Sequence, residues 1–132
     1  MEVDGVKNKK EKGQAMVEFA IILPILLTLL FGIIDFGWIF GNQVSANNAC
    51  REAARYTAIH YNDSEADDDQ GIAKGIITAS APTLSGPAVV LTETEDTVTI
   101  SLDCDVAVLT PFLSSILGDV YNMKAKTIMR LE

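Results

Sequence analysis

Hydrophobic residues are most concentrated between Phe19 and Phe40, where the chain reads FAIILPILLTLLFGIIDFGWIF. A helix rises about 1.5 Å per residue, so a helix of this length matches the hydrocarbon layer of a bilayer. The pattern therefore predicts a transmembrane helix, which we assign to residues 14–41.

Three residues of this segment are predicted to shape how the helix packs. Pro24 removes one intrahelical hydrogen bond and favours a kink or a locally melted turn, which would help helices pack in an assembly. Gly37 and Gly41 have the small-xxx-small spacing that lets a second helix approach closely. The alternative for both glycines is that they are ordinary residues of a membrane helix, where glycine is frequent.

Beyond Gly41 the hydrophobic pattern becomes that of a folded domain, which we assign to residues 42–132. Alanines recur at helical spacing without a proline, which predicts that the helix continues over residues 42–60 and packs its alanine face under a sheet. Residues 62–70 (NDSEADDDQ) form a predicted acidic loop, whose spacing lacks the alternating ligands of an EF-hand calcium site. A short helix is expected from Ile72 to Ala81. The predicted alanine face comprises Ala46, Ala49, Ala53 and Tyr56.

The C-terminal part of the chain alternates apolar and polar residues, as a half-buried strand does. The clearest case is Thr97–Leu109, with Ala88–Thr94 and Tyr121–Leu131 as its expected partners and a short helix at Phe112–Leu117. A turn at Glu95-Asp96 would join the first two strands. The predicted fold class is therefore α+β, with an antiparallel sheet formed within residues 88–131 and packed on the long helix.

Charge is distributed unevenly along the chain, which has a formal net charge of −8. Four lysines crowd the first dozen residues, and no comparable cluster follows the apolar segment, so the positive-inside rule places the N-terminus in the cytoplasm and the domain outside. The acidic domain has no basic stripe that would replace the counterions of nucleic acid, so we expect no nucleic-acid partner. The lysines are Lys7, Lys9, Lys10 and Lys12.

The sequence offers little for catalysis or for metal binding. His60 is the only imidazole, and Cys50 and Cys104 do not have the spacing of metal ligands. We therefore expect no enzyme activity, no metal and no cofactor. Cys50 falls on the predicted helix and Cys104 on the inward face of the strand at Thr97–Leu109, so an oxidising compartment permits a disulfide between them. The alternative is two buried free thiols.

Two residues distinguish the start of the apolar segment from a generic anchor. Gly13 ends the lysine-rich stretch, and Glu18 places a carboxylate inside the run at a cost of about 2.5–3.5 kcal/mol on insertion scales. Such a residue calls for a partner or a function, although snorkelling to the interface is the alternative. The run is too long for an ordinary secretory signal cut after Ala46 and contains Asp35, whose role the sequence leaves open.

The stretch from Lys12 to Gly37, KGQAMVEFAIILPILLTLLFGIIDFG, resembles the N-terminal motif of the TadE-like proteins of the Flp/Tad pilus apparatus. The resemblance implies that residues 1–13 are a leader, which a prepilin peptidase removes by cutting between Gly13 and Gln14. Glu18, followed by Phe19, then becomes the fifth residue of the mature chain. NACREAARYTA (residues 48–58) and MKAKTIMRLE (residues 123–132) are similar to later parts of the family.

The resemblance also implies a function. It predicts a minor pilin or pseudopilin of a Tad/Flp-type pilus or related secretion apparatus, held in the inner membrane. The implied partners are the prepilin peptidase, other pilin, TadE-like and TadF-like subunits, and the Tad inner-membrane assembly proteins. Cleavage would free an amine on Gln14, which can neutralise Glu18 of a neighbouring subunit. The alternative is a single-pass adhesion or binding module that keeps its leader.

Overall fold

The structure is a computed structural model that describes residues 3–60 and 69–131, with side chains from Lys12 onward. Most of the predicted acidic loop, up to residue 68, lies outside the described residues, and so does the question of a calcium site there. The elements in chain order are α1 (Val3–His60), α2 (Asp69–Ser80), β1 (Ser85–Glu93), β2 (Thr97–Ala107), α3 (Pro111–Leu117) and β3 (Val120–Arg130).

The chain divides into two compact units, Met1–Ile34 and Asp35–Glu132, and α1 contributes residues to each. In the first unit the side chains of the apolar run are almost all exposed, including those of Phe19 (62 %) and Ile25 (67 %). A helix that is apolar all round needs a non-aqueous surrounding. Within the described residues α1 is the one helix long and apolar enough to cross a membrane, which indicates membrane anchoring. The helix is uninterrupted at Pro24, so the locally melted turn is not observed.

The second unit contains a three-stranded antiparallel sheet in the order β1-β2-β3. β2 alternates buried and partly exposed residues along its length, because each of its faces meets a different environment. The predicted turn at Glu95-Asp96 is confirmed by two hydrogen bonds between the backbones of Thr94 and Thr97, of 2.8 and 3.3 Å. At the start of β1 the register shifts between Ser85 and Ala88.

The inner face of this sheet packs on the part of α1 that follows Asp35, and together they form the hydrophobic core. Ala46, Ala49 and Ala53 are fully buried, as predicted, so a large sheet face can approach the helix closely. Tyr56 was assigned wrongly to this face, because it is 40 % exposed and stacks on His60 with ring centroids 4.1 Å apart. Thr57 takes the buried position instead. The predicted α+β fold is confirmed.

Several predicted element boundaries differ from the structure, and for the end of β2 the structure shows the reason. β2 ends at Ala107 and not at Leu109, because the backbone N–H of Leu109 donates to the side chain of Asp35 at 3.0 Å. The alternation of apolar and polar residues continues through Val108, so the sequence pattern alone does not show this departure from the sheet. α2 begins at Asp69, earlier than the predicted Ile72.

Candidate functional site

The predicted cleavage site lies in an accessible part of α1. Lys12, Gly13 and Gln14 are all exposed, and a Cβ placed on Gly13 would meet nothing within 4 Å among the described residues. The backbone is helical at this point. A peptidase that binds its substrate in an extended form must therefore unwind this turn before it cuts, and glycine lowers the cost of doing so.

Glu18 and Phe19 are both exposed in the first unit. Among the residues whose side chains the structure describes, Glu18 has no hydrogen-bond or ion-pair partner. A carboxylate in an apolar segment is costly when it is unpaired. The sequence indicated that Glu18 needs a partner, and the described side chains of this chain do not supply one.

Gly37 and Gly41 belong to the second unit and are exposed. A Cβ added at either position meets no atom within 4 Å in the described structure, so the chain itself does not cover this strip of α1. A glycine strip that the fold leaves open is available to a second helix. The packing role predicted for these glycines, and for Pro24 in the first unit, remains a prediction.

Asp35, whose role the sequence left open, has a structural role. Its side chain is 0 % exposed, and its Oδ1 accepts hydrogen bonds from the backbone N–H groups of Leu109 at 3.0 Å and Thr110 at 3.1 Å. The hydroxyl of Thr110 donates to Oδ2. Thr110 is the N-cap residue of α3, followed by Pro111 at the first helical position. Asp35 therefore fastens the loop between β2 and α3 to α1.

Further hydrogen bonds tie the same part of α1 to the sheet and its loops. The indole Nε1 of Trp38 donates to the carbonyl of Ala107 at 3.1 Å, and Nε2 of Gln43 donates to the carbonyl of Lys124 at 3.1 Å. The hydroxyl of Thr83 donates to Oδ1 of Asn42. The segment of α1 beginning at Asp35 is therefore an integral part of the folded unit, although the sequence assigns residues 35–41 to the transmembrane helix.

The outer face of the sheet carries a small polar network. The amide of Asn122 donates to Asp103 at 2.6 Å and to Asp105 at 3.1 Å, and Lys124 approaches Asp103 at 3.4 Å. The Asn122 hydrogen bond, together with Lys124, lowers the pKa of the Asp103 carboxyl. Both aspartates are therefore partnered surface acids. No group of His, Cys, Asp or Glu within the described part of the chain is arranged to hold a metal ion.

Cys50 and Cys104 lie in the same core, with exposures of 0 % and 2 %, and both are free thiols in this structure. The Cys104 thiol donates to the carbonyl of Met123 at 3.6 Å. Burial raises the pKa of Cys50 to about 11, with a further contribution from Cys104, and burial also raises the pKa of Cys104. A protonated, buried thiol is a poor nucleophile, so neither cysteine is suited to covalent catalysis.

The pairing of these two cysteines remains a prediction with a direct test. Both side chains belong to one core and the second unit is predicted to lie in an oxidising compartment, so we expect a disulfide in protein isolated from the membrane. Closing so long a loop contributes roughly 4 kcal/mol in the chain-entropy model. Alkylation of denatured, unreduced protein should label neither cysteine, while reduction beforehand should allow both to be labelled. Two labelled cysteines without reduction would show that the bridge is absent.

Comparison with known proteins finds a similarity in the N-terminal part of the chain. Residues 13–55 match the model of a family described as TadE-like protein. No curated protein and no solved structure was found that matches the chain. The match begins at Gly13, covers Glu18 and the apolar run, and reaches Arg55 in the alanine-rich part of α1. It confirms the resemblance seen in the sequence: over residues 13–55 this chain is similar to the TadE-like protein family.

Proposed function

We propose that this protein is a minor pilin or pseudopilin of a Tad/Flp-type pilus or related secretion apparatus. The TadE-like family match supports a role in Tad pilus assembly. The observation that carries the proposal is the position of the match, which starts at Gly13 and runs through an exposed apolar segment where Glu18 has no partner among the described side chains. A protein with this arrangement is held in the membrane by its helix and is available there to other subunits.

In this proposal a prepilin peptidase cuts between Gly13 and Gln14 on the cytoplasmic side of the inner membrane. The lysine-rich leader stays in the cytoplasm, and the apolar helix is retained as the assembly element. The exposure of both residues at the cut, and the open space around Gly13, support access by a peptidase.

Glu18 has the assembly role in this account. The new amine of Gln14 in one subunit meets the Glu18 carboxylate of a neighbour, and the two charges offset the cost that each would carry alone in an apolar setting. The absence of a partner for Glu18 among the described side chains supports a partner from another subunit. Gly37 and Gly41 supply an uncovered strip for helix contact in the second unit.

The folded unit argues against an ordinary secretory signal. A cut after Ala46 would remove Asp35, and with it the buried acceptor of three hydrogen bonds from Leu109 and Thr110. It would also remove Ala46 itself, which is 0 % exposed in the core. The helix is therefore part of the fold of the mature domain and has to be retained.

Replacing Glu18 with alanine should separate membrane insertion from assembly. The protein should reach the membrane at the wild-type level or above, because a charge leaves the apolar run, but its crosslinking to neighbouring subunits and the output of pili should fall several-fold. Quantitative immunoblots of membrane fractions, crosslinked complexes and sheared pili measure the three quantities.

Ile25→Ala is the matched control, since Ile25 is exposed in the same segment and its truncation removes no charge. It should leave assembly unchanged. Wild-type crosslinking and pilus output by the Glu18→Ala protein would exclude the pairing and leave snorkelling as the explanation of Glu18. If the leader is also retained, the protein is a membrane-tethered binding or adhesion module.

A further inference from the structure

The region around α3 exposes an apolar surface that the fold does not use. Phe112 and Ile116 lie one helical turn apart and are 41 % and 67 % exposed, whereas Leu113 between them faces the core at 8 %. Leu109, Leu117 and Val120 flank them, each with an exposed fraction between 44 % and 53 %. We name these five exposed residues the α3 patch. An exposed apolar cluster of this kind marks an interaction surface.

The α3 patch belongs to a stretch of chain without charge. From Val106 to Gly118 the sequence is VAVLTPFLSSILG, and the first charged residue after it is Asp119. The outer face of the sheet differs, because it carries Asp103, Asp105 and Lys124. The five residues of the α3 patch, in contrast, offer only apolar side chains.

The place of α3 beside α1 is fixed by hydrogen bonds within the second unit. Asp35 accepts from the N–H groups of Leu109 and Thr110, directly before α3, and Trp38 donates to Ala107. The stretch of α1 so contacted, residues 35–40, still belongs to the apolar run that ends at Phe40. The start of α3 therefore lies beside residues that the sequence assigns to the membrane.

The uncovered side of the same stretch is apolar as well. Phe36 and Phe40 lie one turn apart on α1 and are 66 % and 71 % exposed, while Asp35 is buried and Trp38 is partly covered by the core. Both α1 and α3 therefore have exposed apolar side chains close in sequence to the hydrogen bonds between Asp35 and Thr110. Exposed apolar side chains on a loop and helix that are hydrogen-bonded to the apolar run are most simply covered by the same lipid as that run.

We propose that the α3 patch is a second membrane contact, which lies in the outer interface of the bilayer beside the end of the transmembrane helix. Its apolar side chains rest at the boundary between headgroups and acyl chains, as those of an interfacial helix do. Burial of Asp35 against Thr110 then keeps a carboxylate away from lipid at this depth. The inference rests on the membrane anchoring in the proposed function and is independent of leader cleavage and of filament assembly.

The depth of three matched isoleucines tests the inference. Ile116 in the α3 patch, Ile25 in the apolar run and Ile128 on the sheet are 67 %, 67 % and 61 % exposed, so each accepts a cysteine and a nitroxide label without disturbing the core. Each single variant of the full-length protein is labelled and reconstituted into vesicles of phosphatidylethanolamine and phosphatidylglycerol. The two native cysteines are buried and are expected to be paired, and wild-type protein treated with the label measures any background from them.

Power saturation then compares collisions of each label with oxygen, which concentrates in lipid, and with a water-soluble nickel chelate. We expect the ratio of oxygen to nickel collisions at Ile116→Cys to approach that at Ile25→Cys and to exceed that at Ile128→Cys several-fold. A ratio at Ile116→Cys equal to that at Ile128→Cys, with Ile25→Cys in lipid, would overturn the inference and leave the anchor intact. Shielding from both reagents would overturn it in favour of a protein contact. A water-exposed Ile25→Cys would overturn the anchoring itself.

Discussion

Substituting Gly13 with leucine is expected to stop removal of the leader and to leave the uncut precursor in the membrane. A branched side chain at the scissile residue obstructs the close approach of the peptidase's catalytic carboxylates to the backbone of the substrate. The fold itself should tolerate the change, since a Cβ at Gly13 meets nothing within 4 Å among the described residues. Pulse labelling in cells that contain a prepilin peptidase, followed by gel separation of precursor and mature forms, measures the effect.

Gly5→Leu provides the matched control within the same leader, because it introduces the same side chain away from the cut. This variant should mature at the wild-type rate. Normal maturation of Gly13→Leu would remove the peptidase interpretation, although the membrane anchor would stand. Equal failure of both variants would show that the leader as a whole, and not the glycine at the cut, controls processing.

Replacing Asp35 with alanine is expected to destabilise the second unit strongly. The substitution leaves the N–H and hydroxyl groups of Thr110 without their acceptor at a buried site, and the N–H group of Leu109 without its acceptor at a partly buried one. Each buried donor left unsatisfied costs about 1–3 kcal/mol, so the free energy of unfolding should fall by roughly 3 kcal/mol or more. The only tryptophan, Trp38, reports the transition by fluorescence during denaturant titration of the full-length protein in detergent, since it contacts Ala107 nearby.

Asp119→Ala controls for the loss of an aspartate, since Asp119 is exposed after α3. Its effect should stay within about 0.5 kcal/mol, as for other surface substitutions. Thr110→Val should show an intermediate loss, because the two backbone donors to Asp35 remain. A free energy of unfolding for Asp35→Ala equal to that of Asp119→Ala would mean that the buried network does not fasten the loop to α1.

The sequence predicted the sheet well because β2 separates two environments. Alternation from Thr97 onward, the turn at Glu95-Asp96 and the alanines of α1 each reflect a local rule, and local rules can be read without coordinates. The predicted burial of Tyr56 was wrong, because helical spacing alone does not choose between neighbouring rows of a helix. Tyr56 shares the spacing of the alanines, but the buried row runs through Thr57.

Asp35 could not be assigned from the sequence because its partners lie far along the chain. Thr110 is separated from it by 75 positions, and a carboxylate in an apolar run looks the same whether it faces lipid, a neighbouring subunit or a loop of its own domain. The local signal nearby is Thr110-Pro111, a pair typical of a helix start, which predicts an N-cap but not that the Thr110 hydroxyl donates to Asp35. The same contact explains why β2 ends before the alternation does.

For the residues that suggest a function, the sequence was more informative than the structure. Gly13 and Glu18 stand out in the sequence at the start of the apolar segment, a resemblance to other proteins suggests their roles, and the family match covers both. The fold of one chain gives neither residue a partner among the described side chains. Their proposed roles involve a peptidase and a neighbouring subunit, so intramolecular contacts do not test them.

The mature N-terminus tests the proposed function most directly. Intact mass spectrometry of the membrane protein, produced in matched cells with and without a prepilin peptidase, reads leader removal in one measurement and also reports any methyl group on Gln14. We expect the mass of a chain that begins at Gln14 when the peptidase is present and the mass of the uncut precursor when it is absent. Protein that still contains residues 1–13 in the presence of an active peptidase would contradict this expectation.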